Sequence, residues 1–274
     1  MRRIINRRPD RAGALLLGAL PFAVVAVLYL TGSAIRLAEN PADKLLPSLA
    51  AMGEAIHRLA AEPDRRTGDV LLWVDTAASL TRLALGVAVA TLAGLVVGVA
   101  NGLIPYARAG LAPFVGALSM VPPMAVLPIL FIVFGLDELS KVMLIAIGIA
   151  PFLMRDLALR VEELPAEQLI KAQTLGASSW QIVVRVVLPQ VLPRLIDGVR
   201  LSLGPAWLFL IAAEAIAAAD GLGYRIFLVR RYLSMDVILP YVAWITLLAA
   251  ASDLLLRGLS RRAFPWTLVG RGRA

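Results

Sequence analysis

The chain has 274 residues, of which 59% are hydrophobic and 17% charged, and its mean hydropathy is +0.80. Soluble domains carry about 25% charged residues, so this composition excludes an ordinary soluble fold. The net charge of +8 would suit a nucleic-acid partner, but the arginines crowd both chain ends beside apolar segments, a pattern typical of membrane proteins. Cysteine is absent, which excludes a disulfide framework and a thiolate metal site.

Apolar runs long enough to cross a bilayer as helices recur along the chain. They predict an all-α membrane protein with six transmembrane spans, at residues 13–32, 83–104, 112–135, 142–159, 195–217 and 237–256. The first run is long for a signal peptide and lacks a clear cleavage site, so we predict a retained signal-anchor. Residues 105–111 and 136–141 are predicted to be short connections between antiparallel helices.

The placement of lysine and arginine predicts the orientation, because basic residues beside membrane spans stay in the cytoplasm. Arginines cluster before the first span and after the last one. We therefore expect the tails at 1–12 and 257–274 and the loop at 160–194 to be cytoplasmic. The mixed polar segment 33–80 is expected outside, and residues 1–274 form one transmembrane domain.

Glycines recur every fourth residue in the second span, at Gly94, Gly98 and Gly102. This spacing lines one face of a helix with small residues and lets another backbone approach closely. We predict static helix packing at this face. A moving gate contact is the alternative.

The third span is rich in proline, which removes a backbone donor and kinks a helix. Free carbonyls at membrane depth are tolerated where they are buried in protein or line a water-filled cavity. Ser119, Pro122 and Pro123 are therefore candidates for a translocation pathway. A purely structural kink is the alternative.

Glu214 lies deep in the fifth span, where an ionisable side chain is costly and usually marks function. We predict a pathway or gate role, with a position near the outer interface as the alternative. No intramembrane arginine is evident beside it, which disfavours a dedicated anion site within the membrane. Asp253 in the last span is expected to pair with Arg257.

The sequence contains no recognisable catalytic constellation. It has one histidine, no paired-histidine metal spacing and no glycine-rich phosphate loop, so we predict no enzyme activity, metal site or cofactor. An intramembrane enzyme and an ion-coupled secondary transporter are the alternative classes. No internal inverted repeat is evident, which disfavours many secondary-transporter folds.

Residues 170–189, IKAQTLGASSWQIVVRVVLP, form a polar, helix-forming insert between apolar spans. A helix, a glycine that ends it and a second helix leading to Pro189 predict a short helical projection. Ala172 and Leu175 are expected to enter a groove on a cytoplasmic partner. From these residues alone, a surface hairpin without a partner is an equal alternative.

This insert resembles the loop that marks binding-protein-dependent ABC importer permeases, in which Glu-Ala-Ala is followed at fixed spacing by Gly, Ile and Leu-Pro. Gly176 takes the glycine position, Val186 that of isoleucine, and Leu188-Pro189 closes the motif. The chain departs from the pattern at Ile170 and Lys171, where the acidic anchor of the triplet is missing. Glu167 is a candidate replacement.

The resemblance extends over about residues 45–260 and is greatest to the nitrate/sulfonate/taurine branch of the family. The matching segments are Ala172-Gln-Thr-Leu-Gly-Ala-Ser178, Trp180-Gln-Ile182, Val187-Leu-Pro189, Asp75-Thr-Ala-Ala-Ser-Leu80 and Gly221-Leu-Gly-Tyr224. It implies the type I ABC importer transmembrane fold, in a multi-pass protein of the bacterial inner membrane.

The resemblance also implies a function and partners. The function is a pathway for a small solute, either nitrate, sulfonate or taurine-like or a urea- or guanidine-type nitrogen compound. The partners are two cytoplasmic ATPase subunits, a periplasmic or lipid-anchored solute-binding protein and a second copy of the chain, with no nucleic acid. The residues implied to couple the chain to the ATPase are Ala172, Leu175, Gly176, Ala177, Val186, Leu188 and Pro189.

Overall fold

A computed structural model describes residues 9–41, 43–65 and 67–268, and every regular element among them is helical. Of the predicted tails 1–12 and 257–274, residues 1–8 and 269–274 lie outside the described residues. The α-helices are α1 (Arg11–Glu39), α2 (Leu49–Ala61), α3 (Leu71–Leu103), α4 (Pro105–Leu118), α5 (Pro123–Phe134), α6 (Glu138–Glu162), α7 (Ala166–Thr174), α8 (Ser179–Ile182), α9 (Leu188–Ala217), α10 (Leu222–Arg230) and α11 (Met235–Ala263). A π-helical turn, Val183–Val187, joins α8 to α9, and a 3₁₀ turn, Pro265–Leu268, follows α11.

Five helical segments of the described chain are long and apolar enough to cross a membrane, and the bent pair α4–α5 makes a sixth. The most apolar window of α1 buries none of its residues within the chain, which suits a helix surrounded by lipid. Its C-terminal half is attached to the following loop through the Tyr29 hydroxyl, which donates to the Pro47 carbonyl at 2.6 Å. Arg36 pairs with Asp43 in the same loop and lowers the pKa of that carboxyl.

The core of the bundle forms where α3 packs closely against α6. At Gly94, Gly98 and Gly102, an added Cβ would lie under 3.0 Å from side-chain atoms of α6. The four-residue spacing therefore allows backbone approach along one face of α3, as predicted.

Replacing Gly94 by alanine is expected to lower the thermal stability of the purified protein in detergent. The added carbon would lie 2.8 Å from the Leu153 Cβ, and overpacking of this kind costs about 1–3 kcal/mol. Gly258→Ala in α11 is the matched control, because a Cβ there meets nothing within 4 Å. Equal melting temperatures for the two variants would show that the glycine face is not under steric constraint.

The span predicted at 112–135 is divided into two helices at its prolines. α4 ends at Leu118, α5 begins at Pro123, and their axes are bent by 97°. The residue before a proline is driven out of the α region, and Pro122 precedes Pro123 with an extended ψ of 117°. Residues 105–111 are not a connection, because α4 begins with Pro105, a residue favoured in the first helical turn.

The other predicted spans are present, with longer helices. α3 begins at Leu71, twelve residues before the predicted start at 83, because the polar side chains of its first turns are buried against other helices. α6 begins at Glu138 inside the predicted connection 136–141. The fifth predicted span lies in a helical run from Ser179 to Ala217.

Candidate functional site

A cavity of about 470 Å³ lies where the break between α4 and α5 faces α6. This volume is within the range of about 300–1,000 Å³ that is usual for small-molecule sites. Most of the lining comes from one face of α6, whose residues recur with helical spacing. These α6 residues are Ile147, Gly148, Pro151, Phe152, Arg155, Asp156 and Leu159.

Phe209 of α9 bounds this groove at Gly148. A Cβ on Gly148 would lie under 3.0 Å from the Phe209 ring, so the ring rests directly on the α6 backbone. Glycine is needed at this position because any larger residue would displace the ring.

The polar end of the groove is formed by Arg155 and Ser119. The exposed Arg155 guanidinium donates from Nη1 to the Ser119 Oγ at 2.9 Å, and the hydroxyl donates to the Gly116 carbonyl at 2.7 Å. Of the predicted pathway residues, Ser119 and Pro123 line the groove. Pro122 is the N-cap of α5 and is not among the lining residues.

Glu214 does not line the groove. Its side chain is 0% exposed and lies in an ion pair with Arg82, whose Nη1 is 2.8 Å from Oε1. Ser79 Oγ donates to the same carboxylate at 2.7 Å, and the Gly223 amide donates at 2.8 Å. The expectation of no arginine beside Glu214 is therefore wrong.

Arg82 extends this ion pair into a network that joins several elements. Its guanidinium also contacts Glu138 at the start of α6 and Asp220 in the loop between α9 and α10. Lys141 donates to Glu138 at 2.8 Å. A buried arginine with three carboxylate partners ties the ends of α3, α6 and α9 together.

The same network holds the first turn of α10. The Gly221 amide donates to Asp75 at 3.0 Å and the Leu222 amide donates to Ser79 at 2.9 Å. Arg225 pairs with Asp75 at 2.8 Å. The two segments that resembled the importer family, 75–80 and 221–224, are therefore in direct contact although well over a hundred residues separate them.

Helices α7 and α8 form a hairpin, and this hairpin is the second candidate functional site. The Ala177 amide donates to the Ala172 carbonyl at 3.0 Å and the Gly176 amide donates to the Gln173 carbonyl at 2.9 Å. These two bonds are a Schellman motif, which requires a left-handed residue, and Gly176 has φ +80°. Ser178 and Gln181 then form a capping box that begins α8.

The hairpin is anchored by its inner side chains. Ile182 and Val187 are buried in an apolar cluster with residues of α3, α6 and α9, and several predicted coupling residues pack against this cluster. Those residues are Ala172, Ala177, Val186 and Leu188. Ala172 is half-buried, and its contact with a partner stays a prediction. Pro189 lies in the first turn of α9.

Three large apolar side chains face outward from the hairpin. Leu175 is 87% exposed, Trp180 is 73% exposed and Ile170 is 57% exposed. Sequence reasoning identified Leu175 but overlooked Trp180 as a surface residue. A tryptophan in a polar segment was the available signal, since exposed aromatic residues are enriched at interfaces.

These features define a polytopic α-helical membrane protein with a groove beside a broken helix and an exposed apolar hairpin. Residues 83–265 match the family described as binding-protein-dependent transport system inner membrane component, and the chain belongs to this family.

Curated relatives include permeases named for the transport of taurine, aliphatic sulfonates and bicarbonate. The taurine transport system permease protein TauC of Escherichia coli (strain K12) is 43% identical over 199 residues, which is 72% of each chain. The putative aliphatic sulfonates transport permease protein SsuC of the same organism is 30% identical and covers 90% of both chains. The bicarbonate transport system permease protein CmpB of Synechococcus elongatus is 33% identical over 60% of this chain and 59% of its own.

Solved structures of an inward-facing MetNI methionine ABC transporter share the fold. One matches with a TM-score of 0.56 and 20% identity, over 70% of this chain and 93% of the matched chain. The chain is therefore an inner-membrane permease component of the ABC importer family, and it is a transport subunit rather than an enzyme.

Proposed function

We propose that this chain is the membrane-spanning permease subunit of an ATP-driven importer for a small sulfonate such as taurine, delivered by a solute-binding protein. The observation that carries the substrate class is the 43% identity to a taurine permease over 72% of each chain. The sulfonate permease that aligns over 90% of both chains supports the same class. None of the relatives named above is a permease for a urea- or guanidine-type compound.

The groove along α6 is proposed to form one half of the translocation pathway, and a second copy of the chain would supply the other half. The groove lies beside a broken helix, and its lining changes from apolar to charged along α6. Two copies of the chain would face each other across this groove, so that the solute passes between them. In this assembly the Arg82–Glu214 network lies near the periplasmic surface and the hairpin lies in the cytoplasm.

The α7–α8 hairpin is the proposed contact with the ATPase. Exposed apolar side chains such as Leu175 and Trp180 are costly in water, and they suit a helix-in-groove contact. The apolar side chains of Ile170 and Trp180 would supply contact that the family obtains from its acidic triplet residue. The continuous helical run Ser179–Ala217 connects the hairpin to Glu214, so movement at one end would reach the other through a single rigid element.

Reconstitution tests this function. The chain would be purified with its ATPase partner, placed in liposomes and supplied with loaded binding protein and radiolabelled taurine. We expect uptake that requires ATP and that unlabelled aliphatic sulfonates inhibit. Uptake without ATP hydrolysis would identify a secondary transporter, and inhibition by bicarbonate but not by sulfonates would move the substrate to a different anion.

A further inference from the structure

Arg155 differs from Arg82 and Arg200, because no carboxylate among the described residues lies within 4.0 Å of it. Arg82 has three acidic partners and Arg200 pairs with Asp253 at 2.8 Å. The hydrogen-bond partner of Arg155 is a neutral hydroxyl, that of Ser119. A charged group in a membrane helix is expensive and marks a pathway when it faces a cavity, as Arg155 does.

Among the described residues that line the groove, Arg155 is the one with a cationic side chain. Asp156 also lines the groove, and its carboxylate lies 3.5 Å from Arg160, which pairs at 3.1 Å with Glu163 as well. Val121 and Pro123 line the wall at the N-terminal end of α5, where the helix dipole is positive. The guanidinium and the dipole therefore favour an anion at the same place.

The shape of the groove places this charge at the end of an apolar channel. Ile147, Pro151 and Phe152 occupy the preceding turns of α6, and Phe209 closes over Gly148. Arg155 lies seven residues before Glu162 at the end of α6, or about 10 Å along the helix axis at 1.5 Å per residue. The groove thus offers a short apolar wall followed by a cation near the side of the hairpin.

We propose that Arg155, positioned by Ser119, forms a transient binding site for the oxyanion group of the transported solute as the solute passes through the groove. Guanidinium presents a planar fork of donors that matches the oxygens of a sulfonate or carboxylate. Ser119 leaves part of this fork free, because it accepts one bond from Nη1. This inference rests on the proposed function and adds a residue that recognises the anionic end of the solute.

Arg155→Gln tests this binding site in the reconstituted transporter. We expect taurine uptake per ATP hydrolysed to fall by about tenfold or more, since a hydrogen bond to a charged group is worth about 1.5–3 kcal/mol. Equilibrium binding of radiolabelled taurine to the detergent-solubilised permease–ATPase complex should weaken in parallel. Arg155→Lys, which keeps the charge but loses the fork, should lie between Arg155→Gln and the unchanged chain.

Two further variants separate binding from folding. Ser119→Ala should produce a smaller loss, because the guanidinium keeps its charge and loses only its positioning bond. Arg261→Gln removes an equal charge from the exposed end of α11 and should change neither uptake nor binding. Normal taurine binding and uptake by a well-folded Arg155→Gln variant would overturn the proposal.

An anionic lipid headgroup has the same chemistry as a solute oxyanion, so the liposome composition distinguishes them. If Arg155 binds the solute, Arg155→Gln should reduce taurine uptake equally in liposomes with and without phosphatidylglycerol. A defect that disappears without anionic lipid would show that Arg155 anchors a headgroup and would overturn the proposal. Absence of ATP-dependent uptake by the unchanged chain, by contrast, would contradict the proposed function itself.

Discussion

Gly176→Val is expected to reduce both ATPase co-purification and ATP-driven uptake by between about fivefold and a hundredfold, while the membrane bundle stays folded. Gly176 has φ +80°, a conformation that a β-branched residue rarely adopts, and such strain costs about 1–3 kcal/mol. Relief of the strain would break the Schellman bonds of Gly176 and Ala177 and would turn Leu175 away from its present position. Pull-down of the ATPase with the tagged permease and uptake in liposomes measure the two effects.

Gly176→Asn is the matched control, because asparagine tolerates the left-handed region and a Cβ here meets nothing within 4 Å. The asparagine variant should retain most ATPase binding although it adds a larger side chain than alanine. If the valine and asparagine variants bind the ATPase equally well, the left-handed turn is not what presents the hairpin. Normal binding by both variants would count against the docking role of the hairpin.

Arg82→Ala is expected to be among the most destabilising single substitutions in this chain. It leaves Glu214 fully buried without its cation, and removal of one member of a buried ion pair costs about 3–5 kcal/mol. The first turn of α10 should loosen as well, because the Arg82 guanidinium also donates to the Asp220 carbonyl at 3.1 Å, next to Gly221. The melting temperature of the purified protein and protease cleavage near α10 report the two consequences.

Arg257→Ala is the control for the loss of an arginine, because its ion pair with Asp253 is exposed and such pairs contribute little. A second variant, Arg82→Met with Glu214→Gln, removes both charges and keeps an acceptor for Ser79 and Gly223. This double variant should recover part of the stability that Arg82→Ala loses, as buried pairs often do when replaced together. A melting temperature for Arg82→Ala as high as that of Arg257→Ala would show that the network is not a major source of stability.

The two experiments address opposite ends of the same helical run. Glu214 lies near the C-terminal end of α9, and the hairpin lies before its N-terminal end. Thirty residues of α9 span about 45 Å at 1.5 Å per residue. We expect Gly176→Val to lose uptake with intact stability and Arg82→Ala to lose stability. Together these results would distinguish the proposed coupling element from the structural support of the bundle.

Local features of the chain were predictable because their causes are local. The spacing of Gly94, Gly98 and Gly102 determines which face of α3 accepts a close neighbour, and α6 packs there. Gly176 ends α7 because the Schellman turn needs a residue that tolerates positive φ. The expected contact between Asp253 and Arg257 is present at 3.2 Å, since the residues lie one helical turn apart, although Arg200 is nearer to Asp253.

Long-range pairings were not predictable in the same way. Arg82 and Glu214 are separated by 132 positions, and only the packing of α3 against α9 brings them to 2.8 Å. The prolines at 122 and 123 indicated a break, but the direction of the 97° bend decides that Ser119 meets Arg155. Sequence reasoning did not identify Arg155 as a groove residue for this reason.

The sequence by itself determined the class of protein, the number of spans and the position of the helical hairpin, because hydropathy, glycine spacing and turn residues act over a few residues. The tertiary structure decided which charges are neutralised and which face a cavity, because burial and ion pairing depend on how distant helices pack. It placed Glu214, predicted to have a pathway or gate role, in a buried ion pair with Arg82. It also placed Arg155, and not Glu214, in the lining of the groove, where it contacts Ser119.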